Sequence, residues 1–146
     1  MYREVMGDVF RIEKGAIAHC ITSDYSLGAG LAKDLDEKYD LKSTLLNIGQ
    51  NIYPDCLLVE NKDLNIFNLV TKKDRYDHPT YENLEESLLK LKEQMIEHDI
   101  NTVYIPQIGC GKDRLDWKKV KPILQKIFGK DKKVDVCVLL YIPVKK

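Results

Sequence analysis

Ala16-Ile17-Ala18-His19-Cys20-Ile21-Thr22-Ser23-Asp24, continued after Tyr25-Ser26 by Leu27-Gly28-Ala29-Gly30-Leu31-Ala32, holds a strand, a polar loop, a glycine turn and a helix start. Ala16–Ile21 is a near-continuous apolar run, the pattern of a strand covered on both faces. Glycines at the turn let the backbone approach a ligand, and a helix N-terminus supplies unpaired N–H groups for an anion. On its residues alone, the same Gly-x-Gly reads equally as a plain turn.

The pattern repeats outward from this stretch. Strands are predicted over Tyr2–Met6, Cys56–Glu60, Asn65–Val70, Thr102–Pro106 and Val134–Ile142. The polar turn Asn61-Lys62-Asp63-Leu64 joins two of them as an antiparallel hairpin. Leu84, Leu88, Leu91 and Met95 form one apolar stripe on a helix over Tyr81–His98, with Thr80 as its N-cap. Further helices are expected over about Gly30–Tyr39, Lys42–Gln50 and Trp117–Phe128, the last carrying Pro122, which kinks it or marks where regular hydrogen bonding begins. Helices spread between buried strands imply an α/β layered domain with a mixed sheet.

At 146 residues the chain is expected to form one domain, large enough to fold without disulfides or a structural metal. Lys+Arg and Asp+Glu number 23 each, so no bulk field draws nucleic acid or an anionic membrane. Charge is uneven, however: Lys112–Lys146 holds 11 basic and 4 acidic residues. That quarter favours an anionic ligand or is a solvated lysine face. No stretch is long and apolar enough to cross a bilayer, and the start lacks the apolar run of a signal peptide. Cys20, Cys56, Cys110 and Cys137 are dispersed, with no C-x-x-C pair, which suits reduced thiols in a cytoplasmic protein and gives no zinc site.

Two other segments stand out as more than scaffold. Ile105-Pro106-Gln107-Ile108-Gly109-Cys110-Gly111-Lys112-Asp113-Arg114 leaves a buried strand and is glycine-rich, so its N–H groups suit a phosphate. Cys110 lacks an evident base and reads as a packing residue. Val70-Thr71-Lys72-Lys73-Asp74-Arg75 places Lys72 just past an apolar strand, where a partly desolvated amine can act as a nucleophile. By residues alone Lys72 reads rather as a solvated lysine closing a strand, and His19 and His78 as a packed and a loop histidine.

Taken together, Gly7-Asp8-Val9-Phe10, Ala18-His19-Cys20-Ile21, Gly28-Ala29-Gly30-Leu31-Ala32, Val70-Thr71-Lys72-Lys73, Pro79-Thr80-Tyr81-Glu82-Asn83-Leu84 and Ile108-Gly109-Cys110-Gly111-x-Asp113-Arg114-Leu115-x-Trp117 resemble the macrodomain family. The likeness runs from about Val5 to Leu140. It is nearest the branch typified by the terminal ADP-ribose protein glycohydrolase, to which the macrodomains of DNA ADP-ribosyl glycohydrolase antitoxins are related.

The resemblance implies a three-layer α/β/α fold around a mixed sheet of about six strands, with an ADP-ribose cleft at the C-terminal edge of the sheet. It places Asp8 on the adenine amino group. Binding contacts are expected from Val9, His19, Cys20, Thr22, Gly28, Ala29, Gly30, Leu31, Ala32, Thr71, Ile108, Gly109, Cys110, Gly111, Lys112 and Tyr141. It assigns Lys72 as the nucleophile at the anomeric carbon of the distal ribose and Asp113 as the acid/base. The implied activity is hydrolytic removal of ADP-ribose from modified acidic side chains or nucleobases, extending to O-acyl-ADP-ribose deacylation. A non-catalytic ADP-ribose reader is the alternative. No cofactor, metal, membrane or obligate protein partner is implied, and a monomer is expected. The expected partner is the substrate itself, ADP-ribose or an ADP-ribosylated protein or nucleic acid.

Overall fold

The computed structural model describes residues 1–109 and 113–141. Six strands form one sheet: β1 (Tyr2–Met6), β2 (Gly15–Thr22), β3 (Asp55–Glu60), β4 (Leu64–Lys72), β5 (Thr102–Ile105) and β6 (Asp135–Leu140), in the order β1-β6-β5-β2-β4-β3. All neighbours are parallel except β3 and β4, the predicted hairpin, whose register runs from Asp55↔Val70 to Glu60↔Asn65. Asn61 donates to the Leu64 carbonyl across its turn.

Four helices cover the two faces: α1 (Gly30–Tyr39), α2 (Leu41–Ile48), α3 (Tyr81–Glu97) and α4 (Trp117–Phe128). Period-2 alternation divides the strand side chains. Phe67 and Leu69 join Leu84, Leu88, Leu91 and Met95 of α3 and Val120 and Leu124 of α4 in one core. Ile66 and Val70 join Leu35 of α1 and Leu41 and Leu45 of α2 in the other. The outcome is the expected three-layer sandwich. No helix among the described residues is long and apolar enough to cross a membrane.

The element ends show local chemistry. Thr80 caps α3 by accepting from Asn83 N–H, as its sequence position implied. Asp116 caps α4 by accepting from Lys118 N–H, and Pro122 lies inside that helix. β5 stops at Ile105, one residue short of the expected Pro106, which has no N–H for a ladder. α2 spans Leu41–Ile48 rather than Lys42–Gln50 because Gly49, at φ +67, turns the chain out of the helix. β6 is shorter than expected, and the predicted end at Ile142 lies outside the described residues.

His19 sits mid-sheet on the α1/α2 side, opposite Asn68, and is 3% exposed. Its Nε2 is 2.6 Å from Asn68 Oδ1, and Nδ1 is buried with no hydrogen-bond partner among the described residues. Burial pulls this imidazole down to about 4, against the opposing effect of the Asn68 hydrogen bond. An unfolded chain takes up the proton near 6.5 and the folded chain only near 4, so the stabilisation is full above pH 6.5 and lost as pH falls toward 4. Chemical denaturation at pH 7 and about pH 4.5 is expected to show a loss in wild type larger by roughly 2 to 3 kcal/mol than in His19→Gln. Equal losses in both proteins would remove His19 from the acid sensitivity of the fold.

Candidate active site

Five parallel strands end along one edge of the sheet, and the turns leaving β2, β4 and β5 meet there. β2 and β4 run in step to Ile21↔Val70, then slip so that Thr22 faces Lys72 and Thr71 is the extra residue. Such a bulge re-aims the side chains after it. Lys72 is therefore the last residue of β4 rather than a residue beyond it.

Lys72 Nζ lies 2.6 Å from Asp113 Oδ1. Their side chains are 12% and 16% exposed, so water screens the pair far less than at an open surface. Asp113 comes from the loop after β5, where Leu115 N–H donates to the Gly109 carbonyl over 2.7 Å and closes the loop. That closure puts Gly109 at φ +76, a conformation side chains rarely adopt, and a Cβ there would lie 2.9 Å from Leu115 Cδ1. Gly109→Ala is expected to cost about 1 kcal/mol or more and to displace Asp113. A melt together with a turnover assay checks both effects, and an unchanged rate would show that Asp113 does not depend on this turn.

The pair stands in a cleft of about 360 Å³. One wall is the end of β2, with Cys20, Ile21 and Thr22; the other carries Lys72, Arg75 and Asp113. Its rim is the loop into α1, with Ser26, Leu27, Gly28, Ala29 and Ala32. Several bonds hold that loop. Thr22 Oγ1 donates to Asp24 Oδ1 over 2.5 Å and lies 3.2 Å from Ser26 Oγ, while Ser26 N–H donates to the same Asp24 oxygen. Ser23 N–H donates to the Lys72 carbonyl and Ser23 Oγ to the Lys73 carbonyl, tying the two walls together. Tyr25 is fully buried, and its hydroxyl accepts from Asn51 N–H. α1 starts at Ala29-Gly30 without a side-chain cap, so its first N–H groups are not occupied by a capping side chain. The rim can thus offer N–H groups to an anion while the far wall offers an amine beside a carboxylate.

Of the residues singled out from sequence, Cys20, Thr22, Gly28, Ala29, Ala32, Lys72 and Asp113 line this cleft. Gly30, at φ +58, opens α1, and Leu31 packs partly against the α1/α2 core. Val9, His19, Thr71 and Ile108 are buried and stand outside the described lining of the cleft. Asp8 and Tyr141 follow β1 and β6 at the same edge of the sheet. The Asp8 carboxylate accepts from Phe10 N–H and lies 3.8 Å from Arg11 Nε, capping a 3₁₀ turn over Val9–Arg11; Tyr141 is 62% exposed. Cys110, Gly111 and Lys112 lie outside the described residues. Ile21, Ser26, Leu27 and Arg75 line the cleft without having been singled out as site residues. Arg75 had one signal, its place three residues after Lys72. Among the described residues, no group of three or more His, Cys, Asp or Glu is placed to hold a metal ion.

A human ADP-ribose glycohydrolase, OARD1, is 35% identical over 137 residues, covering 92% of this chain and 90% of the relative. The chain belongs to the macrodomain family. The Macro domain model matches residues 55–124 of this macrodomain, the span from β3 through most of α4. The macrodomain of Mycobacterium tuberculosis DarG superposes with a TM-score of 0.85 at 23% identity, covering 99% of both chains. Thermosipho africanus DarTG in complex with ADP-ribose gives 0.80 at 19% identity, with 98% of this chain matched to 42% of that one. At these identities the two structures establish a shared fold.

Proposed function

We propose that this macrodomain binds ADP-ribose and hydrolyses its bond to a modified acidic side chain or nucleobase, with Lys72 as nucleophile and Asp113 as general acid/base. The observation that carries the reading is the 2.6 Å contact between Lys72 Nζ and Asp113 Oδ1 inside a cleft rimmed by an uncapped helix start. The 35% identity to a human ADP-ribose glycohydrolase over nearly the whole chain supports it.

In the proposed reaction, Asp113 takes a proton from the Lys72 ammonium, leaving the Nζ electron pair free. That pair forms a bond to the anomeric carbon of the distal ribose while the bond to the modified group breaks, its electrons departing with the leaving carboxylate or base. Water then displaces the lysine: its oxygen ends on the sugar, and the amine recovers a proton through Asp113. The proposal extends to deacylation of an O-acyl ester on the same ribose: Asp113 takes a proton from water, whose oxygen bonds to the acyl carbon as the acyl C–O bond breaks, and the departing ribose oxygen takes that proton back. N–H groups of the Gly28–Gly30 turn, facing the opposite wall, are assigned to the diphosphate.

The test is ADP-ribose release, read by mass spectrometry, from a glutamate-ADP-ribosylated protein, ADP-ribosylated DNA and O-acetyl-ADP-ribose. Release from at least one class is expected. Tight ADP-ribose binding with no release from any of them would make this a reader instead.

A further inference from the structure

The backbone carbonyls on either side of Lys72, and its own, accept hydrogen bonds from two serines far away in the chain. Ser87, fully buried on α3, donates its hydroxyl to the Val70 carbonyl over 3.2 Å. Ser23, 6% exposed, gives its N–H to the Lys72 carbonyl and its hydroxyl to the Lys73 carbonyl, each over 2.9 Å. Ser23 is held in turn by Asn51, whose Nδ2 donates to the Ser23 carbonyl over 2.7 Å. Asn51 N–H donates to the hydroxyl of buried Tyr25, two residues beyond Ser23. Asn51 sits at φ +47 in the segment between α2 and β3, away from the residues that line the cleft.

The stretch so gripped is the slip between β2 and β4, and that slip has a cost. Its extra residue, Thr71, is 1% exposed, and Thr71 Oγ1 has no hydrogen-bond partner among the described residues. A buried hydroxyl left unpaired is unfavourable, so bonds made elsewhere must offset it. Without the slip Thr22 would face Thr71, and Lys72 would follow the alternation of the strand to the opposite face of the sheet.

We propose that Ser23 and Ser87 are positioning residues for Lys72, clamping the slip that aims its amine at Asp113, and that Asn51 holds Ser23 in that role. Neither serine lines the cleft, and neither takes part in the proposed proton or bond changes. Each acts on the backbone instead: Ser87 two residues before Lys72, Ser23 at Lys72 and one residue after it. The 2.6 Å contact with Asp113 requires the Lys72 backbone to stay where the slip puts it. A misplacement of about 1 Å can cost on the order of 10²-fold in rate. The inference deepens the proposed hydrolase reading and rests on it for the reaction that the clamp serves.

Ser23→Ala removes the hydroxyl bond to Lys73, and Ser87→Ala the bond to Val70. Each is expected to lower kcat about tenfold on the substrate class that wild type hydrolyses. The dissociation constant of ADP-ribose is expected to change by less than about twofold. Asn51→Gly suits the positive φ and removes only the Nδ2 bond, and a loss of about threefold in kcat is expected. Ile127→Val, in the α3/α4 core, controls for a general loss of stability and is expected to keep the wild-type kcat. A second readout is independent of turnover: acetylation of Lys72 by N-hydroxysuccinimidyl acetate, followed by peptide mass spectrometry against exposed Lys62. Released from its wall, Lys72 is expected to label about threefold faster, or more, in both serine variants. Where wild type turns over, unchanged kcat in both serine variants overturns the clamp, as does an equal loss in Ile127→Val. Should wild type release no ADP-ribose from any substrate, the hydrolase reading falls and labelling decides the clamp. Faster labelling then upholds it, and unchanged labelling overturns it.

Discussion

Lys72→Ala is expected to lose ADP-ribose release by a factor on the order of 10³ or more in kcat while still binding ADP-ribose. Removing the amine deletes the atom that displaces the leaving group from the anomeric carbon in the proposed reaction. Binding survives because the diphosphate contacts are assigned to backbone N–H groups of the Gly28–Gly30 turn, on the other wall. Single-turnover release and calorimetric titration, made on the same preparation, separate the two quantities. Lys72→Arg sharpens the result, since it keeps a cation for Asp113 but is not deprotonated near neutral pH. Its rate is expected to fall with that of alanine. Normal turnover by either variant would remove Lys72 from the chemistry.

Asp113→Asn carries the second largest expected effect, a loss of about 10² to 10⁴ in kcat. The amide is nearly isosteric and its oxygen can still accept from Lys72, but it cannot take or return a proton. A proton-transfer role predicts that a small carboxylate such as formate, added to Asp113→Ala, partly restores the rate. A role limited to holding Lys72 in place predicts that Asp113→Asn keeps most of its activity. The two outcomes oppose each other, so one titration of formate and one rate measurement decide between them.

The layered fold was largely legible because it follows from local periodicity. The apolar run Ala16–Ile21, the stripe Leu84, Leu88, Leu91 and Met95, and the hairpin at Asn61–Leu64 all lie within short windows, and β1, α1 and α4 have the bounds read from sequence. The 3₁₀ turn Val9–Arg11 escaped because three residues are too few to show a period. The cleft was harder to read for another reason. Its rim depends on Tyr25 and Leu27 at positive φ, which neither residue type signals, and its far wall depends on the slip between Ile21 and Thr22. Ser26 and Leu27 line the cleft as a consequence of those backbone choices. The contact between Lys72 and Asp113 spans 41 residues of sequence. No pattern of spacing encodes it; only likeness to a family drew the two residues together before the coordinates did. His19 shows the converse, since on its residues alone it read as a packed histidine, and it is one.

The pairing of β1 with β6 bears on how the chain is made. Tyr2 lies beside Val136, so among the described strands the earliest in the chain pairs with the latest. At ordinary rates of synthesis the interval between them is about ten seconds. During it β3 and β4 can zip together locally, carrying Lys72, while β1, which leads into Asp8, waits for β6. A waiting strand is an invitation to strangers, and Arg3 and Glu4 in its centre make it a poor template for them.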